Sequence, residues 1–386
     1  MKKAGLALLI AAGIVLASYF VANIPYPLLD SWMPFSFVEL TGHRSHVSAY
    51  PEDSVLCVNV AYDKQLAEAH SQAGFRIGNS AVTDREKLLH FLRVAGEADY
   101  RYIFLDVRFP KGLVTEYDGD LFPLIAGMPR LVLSDHSSYG GYSIADSSLL
   151  SKSALADYRM TAFTGFTRYQ YLQHGRESVA LRMYRDMDGG DILKWGPFYS
   201  SGGRLCRNSQ FVRIPKFVME QEREDYTLRY PYLGAHYLDW NTDEELARSL
   251  KSKIILIGDF DEDLHQTYVG DVPGAMLSFL GWWELHTARH IVPGWLIVVL
   301  LVLYGIIVFL LLTPHRDWYD YVPLLNRIKS PFWRFLMSLI GWGFILTLLQ
   351  MVLYRFGSVA ISTAVPAFCF SLLGAINRFR ESNYTI

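Results

Sequence analysis

Apolar residues are distributed unevenly along the 386-residue chain. Four stretches carry no charge in their middles: Ala4 to Ala22, Val292 to Thr313, about Phe332 to Tyr354, and Gly357 to Ile376. A helix that crosses a membrane needs about 20 apolar residues, since each adds about 1.5 Å against a hydrocarbon core of about 30 Å and no backbone polar group stays unpaired in lipid. The pattern therefore predicts four transmembrane helices, one N-terminal and three C-terminal. It divides the chain into an anchor (1–25), a large middle domain (26–291), three membrane helices (292–377) and a short tail (378–386).

Within the middle domain the period changes. Ser54 to Ala61, Tyr102 to Phe109, Leu131 to Ser134 and Lys253 to Gly258 are short apolar, β-branched runs that read as buried strands. Between them, Leu88, Leu89, Phe91, Leu92 and Val94 recur at helical spacing behind a Thr83-Asp84 cap, and Asp120 to Met128 and Asp243 to Leu250 are further helical segments. Strands apolar on both faces that alternate with helices predict a mainly parallel sheet wrapped by helices. From 155 to 235 the pattern differs: Asp186-Met-Asp-Gly-Gly-Asp191 reads as a turn between strands Ser178 to Arg185 and Ile192 to Tyr199, and Gln210 to Val218 is again strand-like. The expected fold is thus an α/β domain with an antiparallel extension, held between membrane helices. Residues 24–50, rich in Pro, Ser and aromatic side chains, read as an irregular or partly helical connection.

Basic residues flanking membrane spans stay on the cytoplasmic side. Lys2 and Lys3 put the N-terminus inside, and successive crossings put 26–291 outside. The loop His315 to Ser330, with Arg316, Arg327 and Lys329, and the end with Arg378 and Arg380 then fall inside. A lysine pair before an apolar run also begins secretory signals, but Tyr19-Phe-Val-Ala-Asn23 is a poor cleavage site, so an uncleaved anchor is expected. The net charge of −2 makes no electrostatic case for nucleic acid as a partner. Of the three cysteines, only Cys57 and Cys206 lie outside the membrane runs; Cys57 sits in an apolar strand-like run, and no disulfide is expected.

Candidate chemistry gathers where strands end. Asp63, Asp106, Asp135 and the group Asp259, Asp261 and Asp263 each lie close to the end of a strand-like run. In open α/β sheets ligands bind beyond the carboxyl ends of strands, so these acids are candidates for one crevice suited to an amine or a hard cation. The competing reading is that each caps a helix or fixes a turn. Asp106 stands out because it interrupts an apolar strand, where an unpartnered carboxylate is costly. Gly258 to Gly274 is rich in oxygen ligands, including Asp263 and Thr267, but lacks calcium-loop spacing; no metal or cofactor is expected. His265, His286 and His290 read as turn or surface histidines. No Gly-x-Ser-x-Gly elbow, P-loop or dinucleotide fingerprint occurs, so the chain is not expected to be an enzyme.

Several ordered features resemble a known family. Val58 to Val60 is similar to an opening strand, Leu88 to Gly96 to the helix after it, Ile103-Phe-Leu-Asp-Val-Arg-Phe109 to a strand ending in Asp-x-x-Phe, and Asp118-Gly-Asp120 to an acidic step. Lys253 to Gly258, Asp263-Leu-His-Gln-Thr267, Val272-Pro-Gly274 and the helix up to His290 resemble a closing strand, an Asp-x-x-x-Thr step and a Pro-Gly helix. Together they resemble the second type of CHASE domain, the extracellular sensory domain of bacterial cyclases and histidine kinases, which three membrane helices follow. The usual Thr-Pro step reads Thr267-Tyr268 here, and 137–230 matches only loosely. The resemblance implies a sensory, ligand-binding module in the bacterial plasma membrane with its domain on the extracytoplasmic (periplasmic) side. Nine residues after the last membrane helix leave no room for an output enzyme, so a separate membrane or cytoplasmic protein partner is expected. The alternatives are an assembly subunit of a membrane complex and, behind it, an extracytoplasmic hydrolase using the strand-end acids.

Overall fold

The computed structural model describes residues 2–24, 54–71, 73–136, 144, 146–158, 165–166, 168–214, 242–268, 270–313, 328, 330–357 and 359–384. The connection 25–50, most of the loop 315–330 and residues 215–218 of the last strand-like run lie outside them. The helices are α1 (Lys2–Ala22), α2 (Arg85–Glu97), α3 (Asp118–Gly127), α4 (Val179–Asp188), α5 (Asp243–Leu250), α6 (Gly274–His286), α7 (Gly294–Leu311), α8 (Pro331–Gly357) and α9 (Ala364–Tyr384). The chain forms two units. One combines Val47–Ile192 with Val212–Ala288; the other combines Met1–His46, Leu193–Phe211 and Arg289–Ile386.

The first unit is built on five strands: β1 (Val55–Asn59), β4 (Tyr102–Leu105), β6 (Leu131–Asp135), β7 (Ser153–Leu155) and β15 (Ile254–Gly258). They pair in parallel in the order β1-β15-β4-β6-β7. β4, β6 and β15 are buried at every position, which accounts for their unbroken apolar character. Ile103, Leu105, Leu133, Ile255 and Ile257 point to one face, where Leu88 and Leu92 of α2, Leu121 and Ile125 of α3 and Leu246 and Leu250 of α5 cover them. Burying each such aliphatic side chain contributes about 1.5–3 kcal/mol. On the other face, Tyr102 donates to Asp186 of α4 at 2.6 Å. There α6 begins so close to β15 that a Cβ at Gly258 would sit 3.1 Å from that of Ala275.

The antiparallel parts are small. β2 (Lys64–His70) pairs with β3 (Arg76–Thr83) and β5 (Leu113–Val114), and β16 (Leu264–Thr267) with β17 (Gly270–Pro273). The expected hairpin over 178–199 is not formed as such: Ser178 to Arg185 lies in helix α4 instead of a strand. Val179, Ala180, Leu181 and Met183 make one buried helical stripe, the Ser178 hydroxyl accepts from Leu181 N at 3.3 Å, and Gly189 ends the helix at φ 66°. Asp-Gly-Gly there is a left-handed helix stop and not a hairpin turn. Ser153 to Leu155, for which the sequence pattern predicts no element, is the fifth parallel strand. Between them run β8 (Arg168–Gln170), β9 (Leu172–Gln173) and β10 (Arg176–Glu177).

The second unit is helical. Ala7, Ala11 and Ile14 of α1 pack with Leu296, Leu300, Tyr304 and Val308 of α7, and Trp342 and Leu346 of α8 with Phe370 of α9. Small residues at 7 and 11 allow close helix approach. The opposite faces stay apolar and open: Leu9 is 72% exposed, Val298 60% and Phe344 65%. α1, α7 and Pro331–Arg355 of α8 are long and apolar enough to cross a membrane, and on that ground the chain is a multi-pass membrane protein. The fourth expected span, Gly357 to Ile376, is not one helix. α9 starts only at Ala364, after Thr363 whose carbonyl accepts from Ala367 N, and Pro366 favours that first turn. It then runs on through Arg378 and Arg380 to Tyr384. This unit also holds β11 (Leu193–Trp195), β12 (Phe198–Ser201), β13 (Arg204–Leu205) and β14 (Ser209–Phe211).

Candidate functional site

In the parallel sheet β15, the last strand in sequence, lies between β1 and β4. From β1 and β4 the chain leaves toward α2 and α3 on one face, and from β15 toward α6 on the other. Neighbouring strands whose connections diverge open a crevice at their carboxyl ends. A cleft of about 740 Å³ lies there, lined by Val60 after β1, Asp106 and Arg108 after β4, His136 after β6, Asp259, Glu262 and Asp263 after β15, and Lys64 with Ser80 to Thr83 of the β2–β3 ribbon.

The loop after β15 is fixed from both sides. Asn59, at the end of β1, accepts from Phe260 N at 3.1 Å and Ala61 N at 3.0 Å and donates to Asp261 at 2.9 Å. Asp259 accepts from Glu262 N at 2.8 Å and lies 3.3 Å from the Lys64 ammonium. Gly274, the first residue of α6, leaves room for acids: a Cβ there would be 2.5 Å from an Asp263 oxygen and 3.0 Å from His265 Nε2. Asp263 accordingly sits at the positive end of α6, with His265 at 3.3 Å.

Asp106 forms the floor, packed deep although one side opens to the cleft. Removal from water and then the nearby Asp263 push its carboxyl up to about 6, against the opposing pull of Ser134, His136 and His265. His136 is raised, mainly by its bond to Asp157 at 3.1 Å. Tyr158, stacked edge-on against His265 at 4.8 Å, contacts Ser278 and the Gly274 carbonyl of α6, and burial holds its hydroxyl protonated. The arrangement is an acidic floor with two imidazoles and a Lys64–Arg108 rim.

Of the acids singled out in the sequence, the structure brings Asp106, Asp259 and Asp263 into this cleft. The others lie elsewhere or serve the scaffold. Asp63 pairs with Lys87 at 2.6 Å, Asp135 is fully buried against Arg176, Asp261 is held by Asn59, and Thr267 donates to Gly270 O at 2.6 Å within the β16–β17 turn. Sequence reasoning missed His136, Lys64, Arg108 and the Asp157-Tyr158 pair. His136 adjoins a strand-end acid, and Asp157 follows a strand too short, at three residues, to announce itself. His265 takes part in the site, and His290, expected on a turn or the surface, is fully buried where its carbonyl accepts from Arg207 N. Among the described residues no group of three or more metal-ligating side chains is arranged to hold a metal ion, and the cysteines are free. Comparison with protein-family models, curated proteins and solved structures found no match.

Proposed function

We propose that this chain is a membrane-anchored sensory module whose cleft binds a small polar ligand bearing an amine, and which passes its signal to a separate protein. The observation that carries this reading is the meeting of Asp106, Asp259 and Asp263 in one cleft at the divergence point of a parallel sheet. An ammonium on that floor gains two partly desolvated carboxylates, and the Lys64–Arg108 rim suits an anionic end of the same ligand. The order of strands, the Asp-x-x-x-Thr step and the Pro-Gly helix that resemble a CHASE domain of the second type support the same reading.

In this reading the α/β unit lies on the extracytoplasmic side of a bacterial plasma membrane, a placement that the lysines before α1 and the basic ends of the helices support. A fourth crossing is made by α9 together with Val359 to Thr363. These five residues are non-helical and all buried, the condition under which such backbone is tolerated at membrane depth. Thiol labelling of single-cysteine variants at Lys194 and Arg380 in intact, outer-permeabilised cells tests this: the first should label and the second should not, and the reverse sinks the sidedness.

The ligand reading is tested by melting the full chain in detergent against a panel of amines and amino acids. A binder raises the midpoint, and Asp263→Asn abolishes that rise. A panel with no binder, or a rise untouched by Asp263→Asn, counts against it. An assembly role is favoured by one separate feature, the exposed face of the β2–β3–β5 sheet with Leu66, Ile77 and Val114 at 73, 69 and 60%. A stoichiometric partner that co-purifies with the full chain and is lost on Leu66→Glu would support that role.

A further inference from the structure

The ribbon β11–β12–β13 is fastened to one end of the membrane helices. Phe198 packs on Tyr19 and Phe20 of α1 with ring centroids 5.8 and 5.5 Å apart. The Tyr19 hydroxyl donates to Cys206 O at 2.9 Å and accepts from Tyr199 N at 3.0 Å, and Asn23 accepts from Asn208 N at 2.6 Å. Arg207 N donates to His290 O at 2.8 Å, just ahead of α7. The ribbon therefore spans the Ala22 end of α1 and the Gly294 end of α7.

Below the ribbon, α1 and α7 leave an apolar groove of about 370 Å³, walled by Ala12, Leu16, Leu300 and Leu301, with Arg207 in its lining. From Ala12 to Ala22 the helix axis advances about 15 Å, the hydrocarbon depth of one leaflet. Lys194, Arg204, Arg207 and Arg289 stand in segments 193–211 and 289–295, which contain no Asp or Glu. Leu193 and Trp195 on the ribbon are each 61% exposed and Trp295 at the start of α7 is 50% exposed, the aromatic and basic composition of a membrane interface.

We propose that this groove holds one acyl chain of an anionic phospholipid, with the phosphate of its headgroup met by the cations of the ribbon. The apolar walls accept any acyl chain; the positive mouth selects the negative head. The site depends on the membrane placement of α1 and α7 and not on what the cleft binds, so a failed ligand screen leaves it standing.

The test uses the full chain in detergent, delipidated and returned to phosphatidylglycerol or phosphatidylcholine of equal chain length, with retained lipid counted by mass spectrometry. About one phosphatidylglycerol per chain is retained, in preference to phosphatidylcholine. Each ribbon cation contributes about fivefold to that preference, so the double variant Arg204→Gln/Arg207→Gln lowers it about 25-fold. Leu16→Trp fills the groove and abolishes retention of both lipids. Equal retention of the two lipids by the unaltered chain, or full retention by Leu16→Trp, overturns the proposal. Should a variant fail to fold, phosphatidylglycerol with brominated chains still decides: quenching of tryptophan fluorescence in the unaltered chain must saturate near one lipid per chain, and a featureless linear rise overturns it.

Discussion

Replacing Asp106 by Asn should stabilise the protein at neutral pH. A carboxyl that titrates near 6 in the fold against an ordinary 3.8 makes ionisation at this position cost the folded state about 3 kcal/mol. Below about pH 4 the group is protonated in both states and the cost is absent. Between about 4 and 6 the folded chain keeps a proton that the unfolded chain releases, so stability falls as pH rises, and above about 6 the full cost is present. Asn has the shape of the protonated acid and no charge to desolvate. The gap between Asp106→Asn and the unaltered chain should therefore widen from about 0.5 kcal/mol at pH 4 to about 3 kcal/mol at pH 7.5. For a unit of this size that corresponds to about 6–12 °C in the midpoint. The assay is thermal unfolding in detergent, followed by the fluorescence of Trp282, which is fully buried in the α/β unit. His136 loses a neighbouring charge in the variant, which trims the gain without reversing it. A variant that melts at or below the unaltered chain at pH 7.5 would show that the imidazoles fully compensate the buried charge and would refute the reasoning.

Other perturbations address the scaffold. Ser178→Ala removes the cap of α4 at a fully buried position and should cost about 1–2 kcal/mol in urea unfolding read at Trp282. Gly281→Ala places a Cβ 2.9 Å from the Tyr169 ring and 3.1 Å from Ala180, where α4 and α6 meet, and should cost about 1–3 kcal/mol by the same measurement. Arg85→Ala strands Asp118, buried with it at 3.7 Å, and should cost about 3–5 kcal/mol, whereas Arg85→Met combined with Asp118→Leu should lie close to the unaltered chain; equal losses in the two would contradict this account of the pair.

The parallel sheet was legible because strands buried on both faces have no polar alternation, and Val58, Ile103 to Leu105 and Ile254 to Ile257 show it plainly. The cap at Asp84, whose carboxylate accepts from Lys87 N at 3.0 Å, was an equally local signal. Strand β7 is not legible, since three residues carry no period, and α4 reads as a strand because its buried stripe is short and its Asp-Gly-Gly stop also spells a turn. At the site, a run of strand-end acids was visible but their fates were not. Whether Asp135 meets Arg176 or a cleft depends on contacts 41 residues apart in the chain, and no pattern along the sequence encodes them. The fourth apolar run was correctly seen as apolar, but its helix start was set by Thr363 and Pro366, signals that hydropathy averages away.

The cleft depends on β15, the last strand of the sheet in sequence, which lies between β1 and β4. Residues 59–64, 106–110 and 258–263 are brought together by the pairing of that strand between β1 and β4, so the site depends on contacts far apart in the chain. The same strand leads, through the loop that carries Asp259 and Asp263, into α6, which ends at His286, and α7 begins at Gly294. Under the proposed reading, a ligand drawn to Asp263 would act on the first turn of α6, because Gly274 has no side chain to separate them. Such a ligand passes a signal only to the extent that it binds two positions of this loop with different affinity. The buried charge of Asp106 supplies a means: unliganded, the carboxylate favours whatever arrangement returns it to water, and a bound ammonium removes that preference. If the chain senses an amine as proposed, the energy available to it is of the same order as the cost of the Asp106 charge, about 3 kcal/mol, enough to move a two-state equilibrium by about a hundredfold.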